Sequence, residues 1–192
     1  MGALAGRHVV LGVSGGIAAY KAVEICRRLS DAGALVSPVL TDAARRFVTP
    51  LTLSALAFEP ARTSLWDGPE PSPHTLLGQR ADLVVVAPAT ARLLAAYVAG
   101  LSDDLLTATL LMARGPVLVC PAMHTEMWQH AATRANVATL VSRGVHVLEP
   151  ADGPLAAGDV GPGRLREPAE VVAAAERILG ATADLAGRTA VV

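Results

Sequence analysis

Two rhythms alternate along this chain. Short, almost unbroken apolar runs end at a small or polar residue, and each is followed by a longer stretch with apolar positions three or four apart. The first pair sets the pattern. "HVVLGV", His8 to Val13, reads as a strand covered on both faces, because nearly every side chain is apolar. "IAAYKAVEICRRLSDA", Ile17 to Ala32, carries apolar residues at helical spacing, and Gly33 is its natural C-terminal stop. "ALVSPVL" predicts a second strand. "TDAARRF" predicts a helix start with Thr41 as N-cap, and "TPLTLSAL" a further short helix.

The rhythm breaks from Glu59 to His74, where four prolines and no periodicity predict a loop. It resumes with "ADLVVVAPAT", a strand ending at Pro88. The helices "ARLLAAYVAG" and "DDLLTATLLMA" follow, then the strand "PVLVCPAM", the helix "TRANVATLVSRG" closed by Gly144, and the strand "VHVLEP". "ADGPLAAGDVGPGRL" is rich in glycine and carries two internal prolines, so it reads as a mobile loop. "PAEVVAAAERILG" is a last helix with Pro168 in its first turn. Strands alternating with helices predict an α/β fold: a doubly wound parallel sheet, Rossmann-like, in three layers α/β/α. In the tail "ADLAGRTAVV", Gly187 and Arg188 look like the turn before a new strand; an edge strand or a frayed end fits equally.

Composition narrows the function classes. Of 192 residues, 52% are hydrophobic, 17% charged and 3% aromatic. Alanine and valine supply the excess, which suits close helix-on-sheet packing and is compatible with surface buried against other subunits. A net charge of -1 leaves no electrostatic footprint for nucleic acid. No apolar run reaches the roughly 18–20 residues of a membrane span, and no signal peptide is evident. Cys26 and Cys120 are far apart without metal spacing, as expected of buried reduced thiols in a cytoplasmic protein.

Candidate chemistry gathers where open α/β sheets bind ligands, at the carboxyl ends of the strands. Four loops fall there: "SGGIA", "TDAA", "APATA" and "CPAMHTEMW". In the first, glycines let the backbone approach an anion and the following helix offers free N–H groups, so a phosphate is the natural guest, with the Ser14 hydroxyl as a further donor. The pattern is neither GxGxxG nor a P-loop, and a glycine-rich turn also serves plain packing. His74 and His124 stand beside such loops as acid, base or carboxylate partners, or as structural residues. Asp103 and Asp104 open a helix, where carboxylates favour the dipole.

Taken in order and spacing, "GVSGGIAAYK", "APATA", "PAMHTEMW" and "GDVGPGRL" resemble the flavin-dependent cysteine decarboxylases, from about Val9 to Leu179. The resemblance implies FMN. Ser14, Gly15, Gly16 and Ile17 would cradle its phosphate; Thr41, Ala43 and Phe47 match a second flavin loop; Pro88, Ala89 and Thr90 match a third, near the ring; Ser102, Asp103, Asp104 and Leu105 match the segment closing around it. It also implies His74 as the acid/base residue and a substrate motif at Ala122, Met123, His124 and Met127, with His124 where the family usually has asparagine. Ala157, Asp159 and Arg164 lie in the matching substrate flap, and Ala157 stands where a flap cysteine often sits.

The branch resembled most acts on 4'-phosphopantothenoylcysteine in coenzyme A biosynthesis, giving 4'-phosphopantetheine. Relatives that decarboxylate peptidyl cysteine stop at the enethiol, and non-catalytic flavoprotein regulators also occur. "DLAGRTAVV" resembles the start of a phosphopantothenate–cysteine ligase domain fused C-terminally. The resemblance therefore implies a decarboxylase domain over residues 1–180, a linker and ligase start over 181–192, and a homotrimer assembling into a dodecamer.

Overall fold

The structure, a computed structural model, describes residues 2–66, 69–155, 158 and 160–185. Its centre is a five-stranded sheet of β1 (His8–Val13), β2 (Leu35–Leu40), β3 (Leu83–Ala89), β4 (Val117–Pro121) and β5 (His146–Val147). The strands lie in the order β2-β1-β3-β4-β5, and all are parallel. The α/β expectation holds, three layers included.

Period-two alternation explains those layers. Val9, Leu11 and Val13 of β1, with Leu83, Val85 and Ala87 of β3, face one core. Helices α1 (Lys21–Asp31) and α8 (Pro168–Leu185) cover it through Ile25, Cys26, Leu29, Val171, Ala175 and Leu179. Val10, Val84, Val86 and Val119 face the opposite core. There α3 (Pro73–Arg80), α4 (Ala91–Ala99), α5 (Leu105–Met112) and α7 (Ala131–Ser142) close the layer with Leu77, Leu93, Leu106 and Leu140. Both faces of every central strand are dry, so the strands read as unbroken apolar runs rather than alternating ones.

Local departures from the sequence reading have local causes. The predicted helix over 17–32 opens with a 3-10 turn, Ile17–Tyr20, before α1 begins. "TDAARRF" forms only a 3-10 turn, Ala44–Arg46, although the Thr41 hydroxyl does accept from Ala44 N–H at 3.3 Å. Short α2 (Pro50–Ser54) is capped by Thr49. "VHVLEP" yields only two residues of strand, β5.

The larger correction concerns "ADGPLAAGDVGPGRL". Its described residues form an antiparallel hairpin, β6 (Ala151–Pro154) with β7 (Val160–Arg164), not a loop. Ala157, Asp159 and residues 186–192, with Gly187 and Arg188, lie outside the described residues. Helix α8 runs on to Leu185, beyond residue 180. Among the described residues no helix is long and apolar enough to cross a membrane.

Candidate active site

Strand order reverses direction between β1 and β3, the place where doubly wound sheets open a crevice at their carboxyl ends. Ser14 follows β1 directly and is 2% exposed. Its hydroxyl donates to Pro88 O at 2.7 Å and accepts from Thr90 N–H at 3.0 Å. The one hydroxyl proton is thus committed to β3, and Ser14 shapes the crevice by tying its two rims rather than by offering a donor to an anion. Ser14→Ala leaves the part-buried Thr90 N–H without its acceptor and is expected to lower unfolding stability by about 1 kcal/mol in chemical denaturation.

The next two residues differ in what they leave open. A Cβ on Gly15 would meet Ala43, 2.7 Å from its carbonyl carbon, so Gly15 is glycine because the 41–47 loop presses against it. A Cβ on Gly16 would meet only Thr90 Cγ2, at 3.7 Å. Among the described residues nothing accepts from the N–H groups of Gly15 or Gly16. Two unpartnered donors at the start of a helical segment make an anion seat.

These residues form one wall of a cleft of about 560 Å³. Ile17, Tyr20 and Lys21 continue that wall; Pro88, Thr90 and Ala91 form the floor at the end of β3. Ala122, Met123, His124 and Met127 close a third side, and the hairpin a fourth through Pro154, Leu155, Gly163 and Arg164. The motif "PAMHTEMW" divides here. His124 precedes α6 (Thr125–Gln129), Met127 looks into the cleft, and Trp128 is buried in the core beneath Arg134.

The hairpin is fastened at its root. Met123 N–H donates to Gly163 O at 3.0 Å. Side chains on Gly161 or Gly163 would run into Thr125 and Met123, which is why these strand positions are glycine. Lys21 completes the attachment: 8% exposed, it donates to Leu165 O at 3.1 Å and to Glu167 Oε1 at 2.8 Å. The hydrogen bond from Lys21 holds the Glu167 carboxyl below the usual carboxylate range. Lys21 was missed by the sequence reading, although a signal exists: it shares a buried helical stripe with Ile25 and Leu29.

Other expected site residues stand apart from this cleft within one chain. Thr41 is buried in the loop behind Gly15, Ala43 backs that glycine, and Phe47 is half exposed on the surface. Ala89 is buried within β3. Asp104 caps α5, accepting from Thr107 N–H at 2.8 Å, and Arg92 pairs with both Asp103 and Asp104. Ser102 is exposed beside them, and Leu105 is buried in the core. His74 lies in the first turn of α3 and does not line the cleft; its Nδ1 is buried without a hydrogen-bond partner among the described residues. Both thiols are inert: burial pushes Cys26 up to about 11 and Cys120 higher still.

A family model described as Flavoprotein matches residues 2–180. The coenzyme A biosynthesis bifunctional protein CoaBC of Mycolicibacterium smegmatis is 55% identical over 173 residues, which cover 90% of this chain and 42% of that protein. The chain thus spans less than half of that relative. A PPC decarboxylase, solved as a cysteine-to-serine mutant complexed with pantothenoylaminoethenethiol, superposes with a TM-score of 0.80 at 28% identity, covering 90% of this chain and 97% of the other. SpaF, one of the FMN-dependent cysteine decarboxylases, superposes with a TM-score of 0.80 at 28% identity over 94% of this chain and 99% of its own.

Proposed function

Because the chain belongs to the flavoprotein family, matched over residues 2–180, we propose that it decarboxylates 4'-phosphopantothenoylcysteine with FMN as cofactor. The observation that carries this reading is the cleft at the carboxyl ends of β1 and β3. It joins an anion seat at Gly15 and Gly16 to the "PAMHTEMW" motif and a rooted hairpin.

The residues fit FMN. The open N–H groups of Gly15 and Gly16, with Ile17, would hold the phosphate, and the space before Gly16 is left free by the absence of a side chain. Pro88, Thr90 and Ala91 would border the ring. Bound FMN would supply the two-electron oxidation of the cysteinyl carbon–sulfur unit, which lets the adjacent carboxylate leave as CO2 because the resulting charge spreads into the thiocarbonyl.

The chain supplies position and protons. His124 would donate to the substrate carboxylate, a role open to an imidazole as to the usual amide. Met127, Leu155 and Ile17 exclude water from that carboxylate. Arg164, on the hairpin, offers a guanidinium to an anionic part of the substrate. His74 would move the proton of the thiol. Since it stands outside its own chain's cleft, a second copy would bring it there, consistent with a trimer that assembles into a dodecamer. The exposed side chains of Ile17 and Tyr20 beside the cleft support such an interface. In the full protein a ligase domain would follow C-terminally, in the cytoplasm.

A second reading has one observation in its favour. Ala157 puts no thiol in the flap, and both cysteines are buried, so the chain offers no accessible thiol to help reduce an enethiol. The product could then be the enethiol itself, as for peptidyl-cysteine substrates. Anaerobic incubation of the FMN-loaded protein with 4'-phosphopantothenoylcysteine, read by mass spectrometry, separates these. Loss of CO2 with 4'-phosphopantetheine formed is the expected result. Enethiol alone would move the assignment to the second reading, and no CO2 loss would overturn both.

A further inference from the structure

The proline-rich stretch before α3 is bonded to the sheet. Phe58 and Glu59 N–H both donate to Val36 O, at 3.1 and 3.2 Å. Arg62 N–H donates to Pro38 O at 3.0 Å, and Arg62 O accepts from Leu40 N–H at 2.9 Å. Arg62 thereby adds one parallel rung, opposite Val39, to the outer edge of β2.

From that rung its guanidinium reaches Glu70 with both nitrogens, at 3.0 and 3.3 Å. Arg62 is 19% exposed and Glu70 34%. The hydrogen bonds from Arg62 hold the Glu70 carboxyl below its ordinary range. At the other end of α3, Arg80 pairs with Glu59, which also accepts from Ser37 Oγ at 2.7 Å. Burial pushes the Glu59 carboxyl up, but the hydrogen bonds from Arg80 and Ser37 outweigh it and the net direction is down. The C-terminal end of this eight-residue helix, and the segment that enters it three residues before Pro73, are thus each tied by a charged pair to the same short stretch, residues 59–62.

His74 sits in the first turn of that helix, four residues after Glu70. Its Nδ1 is buried without a hydrogen-bond partner among the described residues, so no hydrogen bond at that nitrogen orients the ring. The fork between Arg62 and Glu70 holds the chain three residues before it enters α3, and the direction of the imidazole depends on that entry. A bidentate pair fixes angle as well as distance, which a lysine cannot reproduce. We propose that Arg62 and Glu70 are positioning residues for His74, aiming its imidazole from outside the cleft. The proposal rests on the reading that His74 takes part in the reaction.

The test compares Glu70→Gln, Arg62→Lys and the reciprocal swap Arg62→Glu with Glu70→Arg, each as the FMN-loaded full chain. Glu70→Gln and Arg62→Lys are expected to lower kcat for 4'-phosphopantothenoylcysteine about tenfold, with KM within about twofold and FMN affinity unchanged. The His74 imidazole signals in isotope-labelled protein shift or broaden at the same time, and the swap restores both. Unchanged kcat and unchanged His74 signals in Glu70→Gln overturn the proposal. So does a loss of kcat that tracks lost FMN affinity while the His74 signals stay in place. Should Glu70→Gln fail to fold, Arg62→Lys, which keeps the charge, decides by the same readouts. If His74→Asn keeps full activity, the catalytic reading of His74 falls, and the imidazole signals alone decide whether the pair orients it.

Discussion

Replacing His74 with asparagine is expected to lower the decarboxylation rate by about 10²–10⁴-fold while the fold stays intact, the range set by removal of a positioned acid/base group. The structure makes this a clean experiment. The imidazole makes no hydrogen bond within the described chain, and its Nδ1 is buried without a partner. The substitution therefore removes no hydrogen bond of α3; Leu77 and Gly78, which are buried and pack the helix, are untouched. Thermal unfolding should shift by no more than about 1–2 °C, and the bound flavin's absorbance should be retained. A rate within a few fold of wild type would remove His74 from the reaction. A collapse in unfolding temperature would show instead that the unpaired ring has a structural role.

The second large effect separates two neighbouring glycines. Gly15→Ala forces a methyl group against Ala43, 2.7 Å from its carbonyl carbon and 2.9 Å from its oxygen. Backbone cannot yield as a flexible side chain does, so the β1-to-α1 turn must shift. About 1–3 kcal/mol of stability should be lost, roughly 3–10 °C in Tm for a domain of this size, together with FMN binding. Gly16→Ala meets only Thr90 Cγ2 at 3.7 Å. Stability should hold, while the methyl group occupies the space before the backbone and weakens FMN binding by tenfold or more, about 1.4 kcal/mol. Differential scanning calorimetry with flavin titration measures both quantities. Equal behaviour of the two variants would refute the assignment of packing to Gly15 and ligand space to Gly16.

Legibility followed the physics of each element. The run from His8 to Val13 was readable to the residue because both of its faces are covered, and burial writes itself into composition. The hairpin was unreadable for the opposite reason. Its strands have no apolar face to advertise; β7 is placed by Met123 N–H and by glycines that fit against Thr125 and Met123, contacts made with a segment more than thirty residues earlier. The same holds for Ser14. A small polar residue before two glycines suggests an anion donor, yet its proton goes to Pro88, seventy-four positions on. Lys21 and Glu167 meet across 146 positions, and no local pattern pairs them. The motif loops themselves were legible, because each had to follow a strand end. Which side chains turn toward the cleft was decided by their neighbours in space, as the split between Met127 and Trp128 shows.

The packing of α8 on α1 bears on how the chain is made. Ile25, Cys26 and Leu29 share one apolar cluster with Val171, Ala174, Ala175 and Leu179, supplied by the last helix. A ribosome releases the first of these groups some 150 residues before the second. Until then that face of the sheet is covered by α1 without α8, and the nascent polypeptide holds a half-made layer. Closure comes late and at once, so translation should yield a protease-sensitive chain that turns resistant only after Leu179 has cleared the exit tunnel.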